Sequence, residues 1–155
     1  MNTTFVVTAY GERFLGMLLT CLESIATHAP EARIIVAWQD MPDAAVAELE
    51  RAFANLHTIK TEFDFASDPA AKIASKTLLW EAAAKEVASG RNTPEQLIYL
   101  DVDTLLFHDP RPALADISGD VLFTTKDSER YPVNTGVLIV RQSGIPDFLT
   151  HWRED

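Results

Sequence analysis

Short runs of β-branched and apolar residues alternate along this chain with segments of helical period, and this alternation constrains the fold more than any other feature. Strands are predicted over residues 5–7, 33–38, 56–61, 96–100, 121–123 and 136–140. Between them, apolar residues recur at three- and four-residue spacing, as in Leu15, Leu18, Leu22 and Ile25, which predicts an amphipathic helix. Strand and helix in this order indicate βαβ units, and therefore an α/β fold with a mostly parallel sheet between helices.

Further helices are predicted between the later strands. Pro42 favours a helix start, with Val46, Leu49 and Phe53 on one face. A longer helix is predicted from Asp68-Pro69 to Gly90, and one side of it carries Ile73, Thr77, Trp80, Ala84 and Val87. Trp38 and Trp80 are predicted core residues, and residues 108–110 predict another helix start. In parallel sheets, ligands bind beyond the carboxyl ends of the strands, so the residues that follow each strand are the candidates for a site.

Charge and composition exclude several classes of function. The chain has 13 Lys and Arg against 23 Asp and Glu, a net charge of −10, which argues against binding to nucleic acid or to an anionic membrane surface. It has no apolar run of the roughly 18 residues that a membrane span needs. The single cysteine, Cys21, cannot form an internal disulfide or a multi-cysteine metal cage. Without a signal-peptide pattern, one cytoplasmic domain over residues 1–155 is expected.

The strongest chemical signal is a pair of carboxylates, Asp101 and Asp103, directly after an apolar strand. In an extended chain, residues i and i+2 point to the same side, so both carboxylates are expected to face one cleft. Two adjacent carboxylates repel each other, and a divalent cation such as Mg²⁺ or Mn²⁺ relieves that repulsion with the oxygen ligands it prefers. Asp is also common in the solvated turns that follow strands, so the pair alone is a weak signal. The four histidines show no metal-ligand spacing.

In context, the sequence resembles the GT-A nucleotide-sugar glycosyltransferases, and in particular their glycogenin and galactosyltransferase-like branch, family 8. Three segments carry the resemblance in order: residues 5–10, with the turn Thr8-Ala9-Tyr10; residues 97–104, with the Asp-x-Asp; and residues 134–140, beginning Asn-Thr-Gly-Val. Residues 141–152 resemble the helix that follows in that family. The match spans nearly the whole chain.

The resemblance implies a set of donor-binding residues. Asp101 and Asp103, with Val102 between them, would hold Mn²⁺ or Mg²⁺ against the donor diphosphate. Thr8, Ala9 and Tyr10 would surround the base and ribose, and Asn134 and Gly136 would line the donor sugar. In the family a basic residue of the long helix contacts the phosphates, a role that Lys76 fits; Lys72 is expected to be solvated. Asp40 is expected to cap a helix before Pro42, with a contact to the base or ribose as the other reading.

The expected function is therefore a metal-dependent glycosyltransferase that moves a hexosyl group from a nucleotide-diphospho-sugar, UDP being the family default, to an unknown sugar, lipid or protein acceptor. The resemblance implies retention of anomeric configuration, and no catalytic nucleophile or base is assigned. Relatives continue beyond the position of Asp155 with further metal and acceptor residues, so the domain is expected to be truncated there and to bind a donor better than it uses one. The alternatives are a phosphatase of the haloacid dehalogenase type, with Asp101 as nucleophile and Asp103 as acid and base, and a non-catalytic nucleotide-sugar-binding module.

Overall fold

A computed structural model describes residues 2–64, 75–89, 93–125, 127 and 133–142 of the 155-residue chain. Within these ranges the chain forms a six-stranded sheet. Its strands are β1 (Thr3–Tyr10), β2 (Arg33–Gln39), β3 (Leu56–Lys60), β4 (Gln96–Asp101), β5 (Val121–Thr125) and β6 (Val133–Arg141). Each predicted strand is present, and all except β3 are longer than the apolar run that predicts them.

The sheet is mostly parallel, as the sequence predicts. Its strand order is β3-β2-β1-β4-β6-β5, and β1 pairs in parallel with both β2 and β4. β3 extends the parallel sheet beside β2, whereas β6 is antiparallel to both of its neighbours, β4 and β5. Five of these six strands therefore point the same way, and their carboxyl ends share one edge.

Helices cover both faces of this sheet. A short 3₁₀ helix (Glu12–Phe14) leads into α1 (Leu15–His28), and α2 (Asp43–Ala52), α3 (Ser75–Ser89) and α4 (Arg111–Ala115) follow. The predicted start and stop of the long helix, at Asp68-Pro69 and Gly90, lie outside the described residues, as does the predicted helix after residue 142. Among the described helices, none is long and apolar enough to span a membrane.

Alternation along the strands divides the core in two. Phe5, Val7 and Ala9 of β1 pack with Leu18 and Leu22 of α1 on one face. On the other face, Val6 packs with a group from β4 and α3 that includes Tyr99, Leu79, Trp80 and Val87. Trp38 and Trp80 are 4% and 3% exposed, which confirms that both are core residues.

Strand register brings the candidate residues together. Thr8 lies opposite Asp101 across the β1–β4 pair, and Tyr10 lies opposite Gln39 across the β1–β2 pair. The polar residues that end these three neighbouring strands therefore lie side by side at the centre of the same sheet edge, the edge at which ligands bind in parallel sheets.

Candidate functional site

A cleft of about 200 Å³ opens at the carboxyl ends of β1 and β4. Six of the residues that the sequence singles out line it: Thr8, Tyr10, Lys76, Asp101, Val102 and Asp103. The sequence analysis assigned no role to three others in the lining, Phe14, Ser75 and Leu79. Residues that are far apart in the sequence, near positions 8 and 101, thus line the same cleft, and α3 forms one of its walls.

Asp101 ends β4 and is held by two donors. Its Oδ1 accepts a hydrogen bond from the Tyr99 hydroxyl at 2.7 Å and lies 2.6 Å from the Lys76 ammonium. The carboxylate and the ammonium are about one third exposed, so their attraction is only partly screened by water. Lys76 also lies over the Tyr99 ring, with 4.9 Å between Nζ and the ring centroid. The ammonium therefore offsets the negative charge of Asp101.

A turn, rather than an extended chain, brings Asp103 to the same cleft. β4 ends at Asp101, and the Thr104 N–H donates to the Asp101 carbonyl at 2.9 Å. The premise that residues 101 and 103 share one side of an extended strand is therefore wrong, because the chain turns after Asp101. Asp103 is exposed, and its charge reaches the buried Cys21 thiol of α1, whose pKa is raised to about 12 by burial and, to a smaller extent, by Asp103.

Tyr99 is a site residue that the sequence analysis missed. Its side chain is 2% exposed, and its ring meets the Trp80 ring edge-on at 5.2 Å. Since its hydroxyl donates to Asp101, the 3.0 Å contact with Thr8 Oγ1 has Thr8 as the donor. Burial raises the pKa of Tyr99, and the negative charge of Asp101 raises it further. The available signal was the two-residue spacing, which places Tyr99 and Asp101 on the same side of β4.

Asp40 does not cap a helix. Pro42 occupies the N-cap position of α2, with no side-chain cap hydrogen bond. The chain turns sharply after β2, and Asp40 adopts the left-handed conformation at this turn, with φ = 56°. Aspartate tolerates this conformation better than most residues. The pKa of Tyr10 is raised by burial and then by a side-chain hydrogen bond with Asp40.

The Tyr10–Asp40 contact separates two clefts at the same sheet edge. Tyr10 lines the cleft described above, and Asp40 lines a second cleft of about 450 Å³ at the ends of β2 and β3. The second cleft is formed by Gln39, Asp40, Met41, Lys60, Thr61, Glu62, Phe63 and Asp64.

The remaining predicted residues that the structure describes lie in β1 and β6. The Ala9 side chain packs in the core beneath α1 and is 2% exposed, so only its backbone is available to a ligand. Asn134 and Gly136 lie in β6, where Asn134 pairs with Thr124 next to a shift in register. Lys72 lies outside the described residues.

The chemistry of Asp101 and Asp103 fits a divalent cation. They offer carboxylate oxygens at one cleft, the hard ligands that Mg²⁺ and Mn²⁺ prefer. In the described part of the chain, no group of three or more His, Cys, Asp or Glu could enclose a metal ion. A cation held here would thus take its other ligands from water or from a bound anion, which is the arrangement typical of Mg²⁺ with phosphates.

Comparisons with solved structures identify the fold. The galactosyltransferase LgtC, in complex with donor and acceptor sugar analogues, superposes with a TM-score of 0.62 at 21% identity, over 97% of this chain and 60% of its own. A mannosyltransferase from Pyrobaculum calidifontis, in complex with GDP-Man and Mn²⁺, gives 0.66 at 14% identity, over 95% and 46%. TarS of S. aureus, in complex with UDP, gives 0.62 at 15% identity, over 95% and 48%.

The chain therefore has the GT-A fold of these glycosyltransferases, as its sequence predicts. It spans less than two thirds of the length of each of the three proteins. No known sequence family and no curated protein sequence matches the chain.

Proposed function

We propose that this domain binds a nucleotide-diphospho-sugar in the cleft between β1 and β4 and forms the donor site of a metal-dependent glycosyltransferase. The observation that carries the proposal is the convergence of Asp101, Asp103 and Lys76 on one cleft in a GT-A fold. Two carboxylates beside an ammonium suit a ligand that is both anionic and metal-bound, and a diphosphate is such a ligand.

Asp101 and Asp103 would hold Mn²⁺ or Mg²⁺. The bound cation supplies Lewis-acid stabilisation of the negative charge that develops on the departing diphosphate. The protein would orient the metal ligands. The Tyr99 hydroxyl donates a hydrogen bond to one oxygen of Asp101, and Asp103 is exposed on the turn that follows β4. The Lys76 ammonium lies 2.6 Å from Asp101 in the same cleft. After a rotation of its side chain it would donate a hydrogen bond to a phosphate oxygen of a ligand bound there.

The nucleoside would lie against Tyr10. Its half-buried ring offers a flat surface for stacking, and Asp40 at its hydroxyl offers an acceptor for the N–H groups of a base or the hydroxyls of a ribose. Thr8 and the Ala9 backbone would complete this wall. Asn134 and Gly136 of β6 are assigned to the donor sugar, because an amide both donates to and accepts from sugar hydroxyls and a glycine allows close approach.

The proposed donor, acceptor, location and stereochemistry are taken from the family resemblance. We propose a UDP-hexose as the donor and a sugar, lipid or protein as the acceptor, and a cytoplasmic location. The complexes of compared proteins with UDP and with GDP-Man and Mn²⁺ support a nucleotide donor and a divalent metal in this fold. Retention of configuration is carried over as a prediction, and no nucleophile is assigned.

Isothermal titration calorimetry with UDP tests the proposal. Affinity should fall at least about tenfold when Mn²⁺ is removed by chelation, and equally when Asp103→Ala removes a metal ligand. Asp116→Ala is the matched control, because Asp116 is also an exposed carboxylate but does not line the cleft. Equal UDP binding in chelator would refute the metal bridge.

Two other functions are outcomes of assays on the same protein. Hydrolysis of an aryl phosphate that Asp101→Asn abolishes would identify a phosphatase instead. Metal-dependent UDP-sugar binding without transfer or donor hydrolysis by the full-length protein would identify a binding module.

A further inference from the structure

The Tyr99 hydroxyl lies at the centre of a chain of hydrogen bonds that ends on a proposed metal ligand. Thr8 Oγ1 donates to Tyr99 Oη at 3.0 Å, and Tyr99 Oη donates to Asp101 Oδ1 at 2.7 Å. The three residues come from two adjacent strands, and Thr8 lies opposite Asp101 in the register. The hydroxyl therefore connects the floor of the cleft to the carboxylate at its mouth.

The phenol ring itself has little freedom. It is 2% exposed, packs edge-on against Trp80 and carries the Lys76 ammonium above its face. A buried ring held on several sides fixes the position of its hydroxyl, in contrast to a water molecule or a flexible surface donor. The donor that faces Asp101 is thus preorganised before any ligand arrives.

We propose that Tyr99 is a positioning residue for the metal site: its hydroxyl fixes Asp101 Oδ1 and so sets the rotamer in which the carboxylate meets a divalent cation. This inference rests on the proposed function for the identity of the ligand. Asp101 is the last residue of β4 and begins a turn, so the backbone alone leaves its side chain free to rotate. Groups that orient metal ligands in this way typically contribute 10- to 100-fold in metal affinity.

Tyr99→Phe is the direct test, because it removes the hydroxyl and keeps the buried ring. Mn²⁺ binding is measured by electron paramagnetic resonance of free Mn²⁺, with and without UDP. We expect Tyr99→Phe to weaken Mn²⁺ binding about tenfold in both conditions. Thr8→Val should weaken it less, because Tyr99 keeps its bond to Asp101 and loses only the donor that polarises it.

Thr3→Val is the matched control for a merely structural effect. Thr3 Oγ1 accepts a hydrogen bond from Gln96 Nε2 at 2.9 Å, buried between the same two strands at the opposite end of the sheet. This substitution also costs a buried hydrogen bond, so it should lower the melting temperature as Tyr99→Phe does. It should leave Mn²⁺ affinity unchanged.

The outcomes separate this inference from the proposed function. If folded Tyr99→Phe binds Mn²⁺ within twofold of the wild type, or if Thr3→Val weakens Mn²⁺ as much, the positioning role is refuted even where UDP binds. If Tyr99→Phe weakens Mn²⁺ while the wild type binds no UDP, the positioning role is supported and the nucleotide function is refuted. A wild-type protein that binds no Mn²⁺ refutes both.

Discussion

Replacing Lys76 by methionine should change two affinities in opposite directions. In the structure the Lys76 ammonium lies 2.6 Å from Asp101 Oδ1, where a metal ion would compete with it. Two unit charges at that distance attract by about 1.6 kcal/mol in water. Partial desolvation and the ordering of the long lysine side chain offset part of this attraction. The net stabilisation by an exposed ion pair is about 0.2–1 kcal/mol. Taking roughly 1 kcal/mol, the ion pair weakens Mn²⁺ binding about fivefold, so Lys76→Met should bind Mn²⁺ alone about fivefold more tightly.

The same substitution should weaken nucleotide binding. A hydrogen bond from an ammonium to a charged acceptor contributes about 1.5–3 kcal/mol, so Lys76→Met should lose at least about tenfold in UDP affinity at saturating Mn²⁺. Mn²⁺ titrations followed by electron paramagnetic resonance and UDP titrations followed by calorimetry give the two constants. Lys85→Met is the control, because Lys85 on the same helix pairs with Glu81 and is 69% exposed. Two affinities that move in the same direction, or do not move, would refute an exchange of Lys76 between carboxylate and phosphate.

Three further predictions concern stability and reactivity. Arg111 lowers the pKa of Asp109 through side-chain hydrogen bonds, so this pair stabilises the fold above about pH 4 and stops doing so as pH falls through the lowered pKa. Asp109→Asn should therefore lower the melting temperature more at pH 7 than in acid, and a loss that is the same at every pH would contradict this prediction. The Cys21 pKa of about 12 keeps the thiol protonated at pH 8, so a disulfide reagent should modify it only on unfolding. The free energy of unfolding should decline above about pH 8.5, because the thiol then ionises in the unfolded chain but not in the folded protein. Rapid modification of the folded protein would argue against the burial of Cys21. Leu22→Ala, at a fully buried position of α1, should lower the free energy of unfolding by about 3 kcal/mol in urea titrations, whereas Leu19→Ala, 39% exposed, should cost under about 1 kcal/mol; equal losses would refute the predicted packing of this helix.

Local sequence patterns were enough to predict most of the sheet. The strands follow from β-branched runs, and the helices on both faces follow from apolar residues at helical spacing, since both patterns depend on which side chains are buried. The direction of β6 did not follow from any pattern, because parallel and antiparallel neighbours bury the same residue types. Its antiparallel pairing with β4 is a property of the whole chain.

Several residues of the candidate cleft could be singled out from the sequence, but the contacts between them could not. The Asp-x-Asp could be singled out because charged residues directly after an apolar strand are conspicuous, and Lys76 because the resembled family has a basic residue in the long helix. The bond between Thr8 and Tyr99 joins residues 91 positions apart, and nothing local marks it. Tyr99 looked like one more apolar strand residue, since its ring is buried and only its hydroxyl takes part in the site. Asp40 looked like a helix cap because the sequence does not reveal its left-handed backbone.

Paramagnetic broadening by Mn²⁺ tests the central claim most directly, because it locates the metal rather than only detecting it. Amide signals of ¹⁵N-labelled protein are recorded with UDP before and after substoichiometric Mn²⁺. We expect the broadened signals to be those of the β1–β4 cleft, at residues 8–10 and 101–104, and we expect Asp103→Ala to restore them. Broadening centred on the second cleft at residues 60–64, or no broadening at the ends of β1 and β4, would contradict the placement of the metal and nucleotide.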